Sequence, residues 1–234
     1  MPAYTYRSSG GVVSNNTGAP LDLSGSSPSG RASGDLLLLV TGQRTGETPG
    51  TITGFTQLAI ENTSGPALAI YGRFADGTSS DLPSVDWDGT NACAAWLDCF
   101  YGDVYTDMAT IVASTAGQVS AAAANPPAPA VSGVSVDNCL LYAVTRKNNT
   151  ATDMTAFTVP SGSGWTKHKE FFWGQGGRIN MASASIQQTT ATDYGGTDWT
   201  IDGTAESLNG NGIIVYLKTA SVTMLDPIRL VWRV

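Results

Sequence analysis

The chain has 234 residues, 27 of them glycine, with only 13% charged side chains and a formal net charge of -7. That length can bury a real core as one large β-sandwich or as two small modules. So few charges leave helices without wet faces, and the acidic balance argues against a nucleic-acid partner, which needs a basic patch.

The acidity is unevenly placed. Between Phe74 and Thr145 stand Asp76, Asp81, Asp86, Asp88, Asp98, Asp103, Asp107 and Asp137, with no Lys or Arg among them. A solvated acidic face is the plain reading; a cation site or a docking surface for a basic partner is the sharper one. Cys93, Cys99 and Cys139 are too few to staple a chain this long, and Cys99 and Cys139 lie in apolar runs where a reduced Cys acts as a small hydrophobe. No basic-then-apolar leader opens the chain and no apolar run approaches a membrane span, so neither a signal peptide nor membrane insertion is expected. Synthesis in a reducing cytoplasm is the expectation.

In chain order, residues 1–30 are rich in Ser, Gly and Asn and read as an N-terminal arm or lead-in, with Tyr4–Arg7 and Val12-Val13 able to pair as an edge strand. Asp35–Thr41 has an unbroken apolar centre too short for a helix, which predicts a central strand covered on both faces. Short strands follow at Gly54–Ile60, Ala67–Phe74 and Val85–Trp87. Ala92–Tyr101 would suit either a helix or a strand by pattern; its likeness to Ile213–Leu217 favours the strand. A polar strand at Ile111–Ser114 and an extended Pro-rich crossover then join two halves. In the second half, strands are expected at Cys139–Thr145, Thr155–Val159 and Arg178–Gln187. Trp199–Ile201 comes next, then a Gly-Asn-Gly turn at Gly210–Gly212 and a closing strand.

The halves echo one another. Asp35–Thr41 answers Asp137–Thr145, each run followed by a basic residue, Arg44 or Arg146. Gly54-Phe55-Thr56 answers Gly164-Trp165-Thr166, Ala67–Phe74 answers Gly177–Ile186, Asp86-Trp87 answers Asp198-Trp199, and Ala94–Tyr101 answers Gly212–Lys218. Landmarks repeated in order predict two related half-sheets. Two separate barrels would each be thin in strands. The fold expected is therefore all-β, a single jelly-roll-like sandwich over 31–218 with half-repeats at about 34–105 and 136–218, each half feeding both layers. The N-terminal segment and an apolar C-terminal extension, 219–234, flank it.

These strands carry a resemblance. Gly34–Leu39, Gly54-Phe55, Leu68–Tyr71, Trp96–Tyr101, Asn138–Leu141 and Gly210–Leu217 resemble the core-strand pattern of a widespread family of jelly-roll-like tailed-bacteriophage virion proteins. The middle element reads Phe100-Tyr-Gly102, without the arginine usual there, and the closing one Val215-Tyr-Leu-Lys218. The resemblance implies a virion component of tail, neck or capsid decoration.

Chemical motifs are weak. The lone histidine, His168, stands between Lys167 and Lys169, which suggests a solvated turn or edge strand. No Gly-x-Ser-x-Gly elbow and no zinc-spaced Cys/His set occurs. Asp86-Trp-Asp-Gly89 with Asp98 and Asp103 could offer oxygens to calcium, though turn-capping explains them as well. Trp87, Trp165, Trp173 and Trp199 suit either a sugar platform or plugs at the ends of the sandwich. No catalytic, cofactor-binding or metal residue is therefore assigned, and no cofactor is expected. The function expected is a non-enzymatic structural virion protein, assembled in the bacterial cytoplasm and contacting other virion proteins and copies of itself. A carbohydrate-binding tail module that meets a host-surface glycan is the alternative.

Overall fold

The computed structural model describes residues 4–17, 19–63, 67–87, 89, 91–102, 108, 112–120, 125–135, 139–149, 155–162, 164–173, 178–202 and 210–218. The first half forms β1 (Tyr4–Ser9), β2 (Val13–Asn15), β3 (Leu21–Asp22), β4 (Leu36–Gln43), β5 (Thr56–Glu61), β6 (Ala67–Phe74), β7 (Ser84–Val85) and β8 (Cys93–Gly102). The second forms β9 (Val112–Ser120), β10 (Pro127–Ala128), β11 (Cys139–Asn149), β12 (Ala156–Thr158), β13 (Thr166–Phe172), β14 (Arg178–Gln188), β15 (Thr197–Asp198), β16 (Thr200–Asp202) and β17 (Gly210–Leu217).

Two large antiparallel sheets make the sandwich. One runs β1-β8-β4-β6-β5, with β2 continuing the β1 edge along β8; the other runs β13-β14-β11-β17-β9. The all-β sandwich read from the sequence forms, but its strands are distributed differently: each half builds one entire layer. The physical reason lies in the connections. The link from β6 to β8 crosses the outside of its own sheet, where β7 pairs with β3 and Trp87 bridges to Pro49, so the chain never passes to the other layer.

Three apolar layers result. Between the sheets lie Leu36, Leu38 and Val40 of β4, Leu140, Tyr142 and Val144 of β11, and their neighbours. The alternate residues Leu37 and Leu39 face outward under Leu21, Leu23, Val85 and Trp87. Leu141 and Ala143 do the same under Val131, Phe157, Trp165 and Trp199. Burial on both faces explains why β4 and β11 read as unbroken apolar runs rather than alternating ones. Trp87 and Trp199 are the matched caps, 1% and 0% exposed.

The echo is thus a structural duplication, with strand pairing giving its register. Thr41 and Thr145 occupy matching places, each donating its hydroxyl to the neighbouring strand, to Ala94 O at 3.1 Å and to Asn211 O at 3.2 Å. From there Leu38, beside Gly72 and Asp98, corresponds to Tyr142, beside Ser185 and Val215. The register also revises one landmark. Gly42, not Arg44, corresponds to Arg146. The two stretches of the lead-in expected to be able to pair as an edge strand do so, as β1 and β2, which together match β9. The turn expected at Gly210–Gly212 instead opens β17, because a Cβ on Gly212 would lie 1.7 Å from the carbonyl oxygen of Pro127 crossing above it. The C-terminal extension, 219–234, lies outside the described residues.

Gly54 and Gly164, matched residues at the mouths of β5 and β13, both have positive φ, 78° and 100°. Gly164→Ala is expected to lower stability by about 1 kcal/mol or more, read as an earlier urea midpoint at unchanged slope. Because each half is one layer, either half alone exposes a whole inner face. Residues 1–110 and 111–234 expressed apart should each give a collapsed NMR spectrum without a cooperative melt. A dispersed spectrum from either would show that one layer suffices.

Candidate functional site

The inner layer holds a buried carboxylate near one edge. Asp98, on the inward face of β8 and 0% exposed, accepts hydrogen bonds from Tyr142 Oη at 2.5 Å and Ser183 Oγ at 2.6 Å, and from the hydroxyl of Ser9. Ser9 in turn meets Tyr6 Oη at 2.8 Å. One carboxylate therefore ties β1 and β8 of the first sheet to β11 and β14 of the second. Burial, then the charge of Asp98, pushes the Tyr142 phenol well above its usual pKa, so it remains the donor.

Toward the rim, β13 carries a one-residue bulge. Lys167 pairs with Ala184 and Lys169 with Ser183, leaving His168 as the extra residue. The bulge turns the imidazole inward, where it stacks on Tyr6 at 3.9 Å between ring centroids and meets Phe100 edge-on at 5.4 Å. Its Nε2 lies 2.7 Å from Ser185 Oγ, and its Nδ1 is buried without a hydrogen-bond partner. The solvated position expected for His168 is therefore wrong in environment though right in element: the residue sits on an edge strand but half-buried between the sheets. Its flanking lysines carried no hint of this, since the bulge breaks the alternation that would have placed it.

A cleft of about 400 Å³ opens here. β1 supplies Tyr4 and Tyr6, β13 supplies Thr166 and His168, and β14 supplies Ser185 and Gln187. The Gln187 amide donates to the Tyr4 carbonyl, fixing the spacing of the two sheet edges. Burial lowers the His168 pKa below 6.5, opposed by the charge of Asp98, so the ring is neutral near pH 7. Ser185 and His168 stand as a nucleophile and base would. A working triad also needs a carboxylate on the far ring nitrogen, and Asp98 bonds to Ser9, Tyr142 and Ser183 instead.

The other residues singled out from the sequence take structural places. Trp87, Trp199 and Trp165 are buried under the outer loops, where they cover the outer faces of the sheets rather than plug the sandwich ends, and no platform is built on them; Trp173 is half-buried against Phe171. Asp81 receives Arg31 at 2.6 Å and Arg73 at 3.0 Å, together with the backbone amides of Asp76 and Gly77. Bonds from Ser80 and Thr78 hold the Asp76 carboxyl well below the usual range. Asp35 pairs with Arg7 at 3.0 Å. Within the acidic stretch, Asp81 and Asp98 are therefore buried internal ties, while Asp76 is exposed. Asp86 is exposed, while Asp88, Asp103, Asp107 and Asp137 lie outside the described residues. Among the described residues no group of three or more His, Cys, Asp or Glu could hold a metal ion, and no helix is long and apolar enough to cross a membrane. The cysteines are free and buried; burial foremost pushes the thiols of Cys93 and Cys99 up to about 11 and about 12. Arg146 is fully buried, with one bond from its fork to Asn148, and burial then Arg44 push its pKa down.

No protein-family model matches the chain, and neither a curated protein nor a solved structure does.

Asp98→Val would strand the Tyr142 and Ser183 hydroxyls, and is expected to cost about 2–5 kcal/mol. The triple variant Asp98→Val, Tyr142→Leu, Ser183→Ile copies the matching residues Val215, Leu38 and Ile70 of the opposite halves. It should recover at least half of that loss in denaturant titration, because the two buried hydroxyls that lose Asp98 go with it, while half-buried Ser9 keeps Tyr6 Oη as a partner.

The lowered pKa of His168 gives a pH dependence. The unfolded chain takes up this proton near pH 6.5 and the folded chain only below it. The histidine therefore penalises folding progressively as pH falls through 6.5 toward the folded value, and not above it. Wild type should lose melting temperature between about pH 7 and 5 faster than His168→Leu does. Parallel curves would show that the ring titrates normally.

Proposed function

We propose that the chain is a non-enzymatic structural component of a bacteriophage particle, a tail, neck or capsid-decoration protein that works through contacts with other virion proteins and copies of itself. The observation that carries this reading is the closed design of the sandwich. Both outer faces are capped by the chain's own loops, and all four edge strands are bulged, at Arg7, Leu58, Ala113 and His168. Bulged edges resist indiscriminate strand pairing, so such a block presents faces and loop ends of fixed shape to its neighbours.

Two further points support it. The strand pattern resembling tailed-phage virion proteins falls on β4, β6, β8, β11 and β17, the strands of the two sheets. Buried carboxylates serve as internal ties, and Tyr101 is the one large hydrophobic side chain exposed among the described residues. The surface is then low in charge and polar, as suits a protein packed among others. A position in the virion assembled in the host cytoplasm follows from this reading.

Antiserum raised against the purified chain is expected to label intact particles from a lysate of the source bacterium in electron micrographs, at one repeated location. Antigen confined to the soluble fraction after the particles sediment would overturn the proposal.

A further inference from the structure

We propose that the cleft between β1 and β13 binds a neutral polyhydroxylated ligand, of the chemical class of a saccharide ring. This goes beyond a structural role and does not depend on it.

The duplication supplies the first argument. The site has a counterpart in the first half, on the opposite side of the sandwich, and there it is filled. Leu58, the bulge residue of β5, stands where His168 does, and Gly72 stands where Ser185 does. A Cβ on Gly72 would lie 2.2 Å from the Met108 methyl and 2.9 Å from a Leu58 methyl, so those two side chains occupy the space. The same fold is therefore complete with an apolar plug. An open, polar version is not a requirement of the sandwich.

Size and lining supply the second. A cavity of about 400 Å³ is ample for one or two sugar rings and falls in the range of small-molecule sites. None of the lining residues is an acid or a base other than His168, which burial keeps neutral. The Thr166 and Ser185 hydroxyls can each meet a ligand hydroxyl, which both donates and accepts. A cation or an anion would find no counter-charge in the wall, and Asp98 one layer behind disfavours anions further. An apolar ligand would leave the wall's hydroxyls without partners.

The test uses the full-length protein and glucose, galactose, N-acetylglucosamine and maltose as probes, with glucuronate and glucosamine as charged controls. Saturation-transfer NMR should show transfer to at least one neutral sugar, with dose-dependent shifts of the His168 ring signals. The double variant H168L/S185G, which copies Leu58 and Gly72, should weaken that binding about tenfold or more while keeping a cooperative melt. Should that variant fail to fold, Thr166→Trp at the exposed rim blocks the same opening and should give the same loss. The proposal falls if no neutral sugar moves the His168 signals, if the charged controls bind better, or if the occluded variants bind as well as wild type.

Discussion

Every strand at the centre of this protein is covered twice, and most of the architecture follows from that. A sheet with apolar residues on both faces cannot leave either face in water, so each sheet needs a second cover besides its partner sheet. The cover comes from the chain's own long connections. Trp87 and Trp199 sit over the matched faces, supported by Leu21, Leu23 and Val85 on one side and Val131 and Phe157 on the other. Truncating either Trp would open a cavity worth about 3–5 kcal/mol, a large share of the stability of an ordinary domain. Because these connections must stay outside their own sheet, each half is held to one layer.

Duplication then leaves two versions of each inner position, and the versions differ in chemistry. Leu38, Ile70, Gly72 and Leu58 on one side answer Tyr142, Ser183, Ser185 and His168 on the other, while Val215 answers Asp98. The polar set gathers on Asp98, which accepts from three hydroxyls and so is buried with both oxygens engaged. A buried charge left without such donors would cost several kcal/mol. Asp81 is satisfied by the same rule but with arginines and backbone amides, near the surface end of β6. The two carboxylates show that acidity in the sequence marked two kinds of internal tie.

Much of the fold was legible from pattern. The apolar runs marked β4, β11 and β17, and the paired landmarks predicted the duplication. In β14, strict alternation puts Ile179, Met181, Ser183 and Ser185 on one face, and that face is the inner one. What pattern could not give was which layer each strand enters, since that is decided by where the outer loops pass. The N-terminal edge strand was legible in part, at Tyr4–Arg7 and Val12-Val13, but the polar residues around them gave no sign that they pair along β8. The site was hidden for a related reason. Ser9, Asp98, Tyr142 and Ser183 are distant in sequence, and each alone is an unremarkable residue in a strand.

The edges and the cleft share one device. A bulge on an edge strand interrupts the even row of amides and carbonyls that would recruit another strand, and it also turns one side chain out of register. On β1 the displaced residue is Arg7, which reaches Asp35 and lies over the Tyr101 ring at 4.7 Å. On β5 it is Leu58, which fills the inner layer, and on β13 it is His168, which lines an opening. A bulge residue is constrained less by its neighbours than a regular strand residue, because it has no partner across the ladder. Its chemistry can therefore change from leucine to histidine without disturbing the pairing around it. That freedom lets one edge of a duplicated sandwich stay plugged while the matching edge acquires a polar cleft.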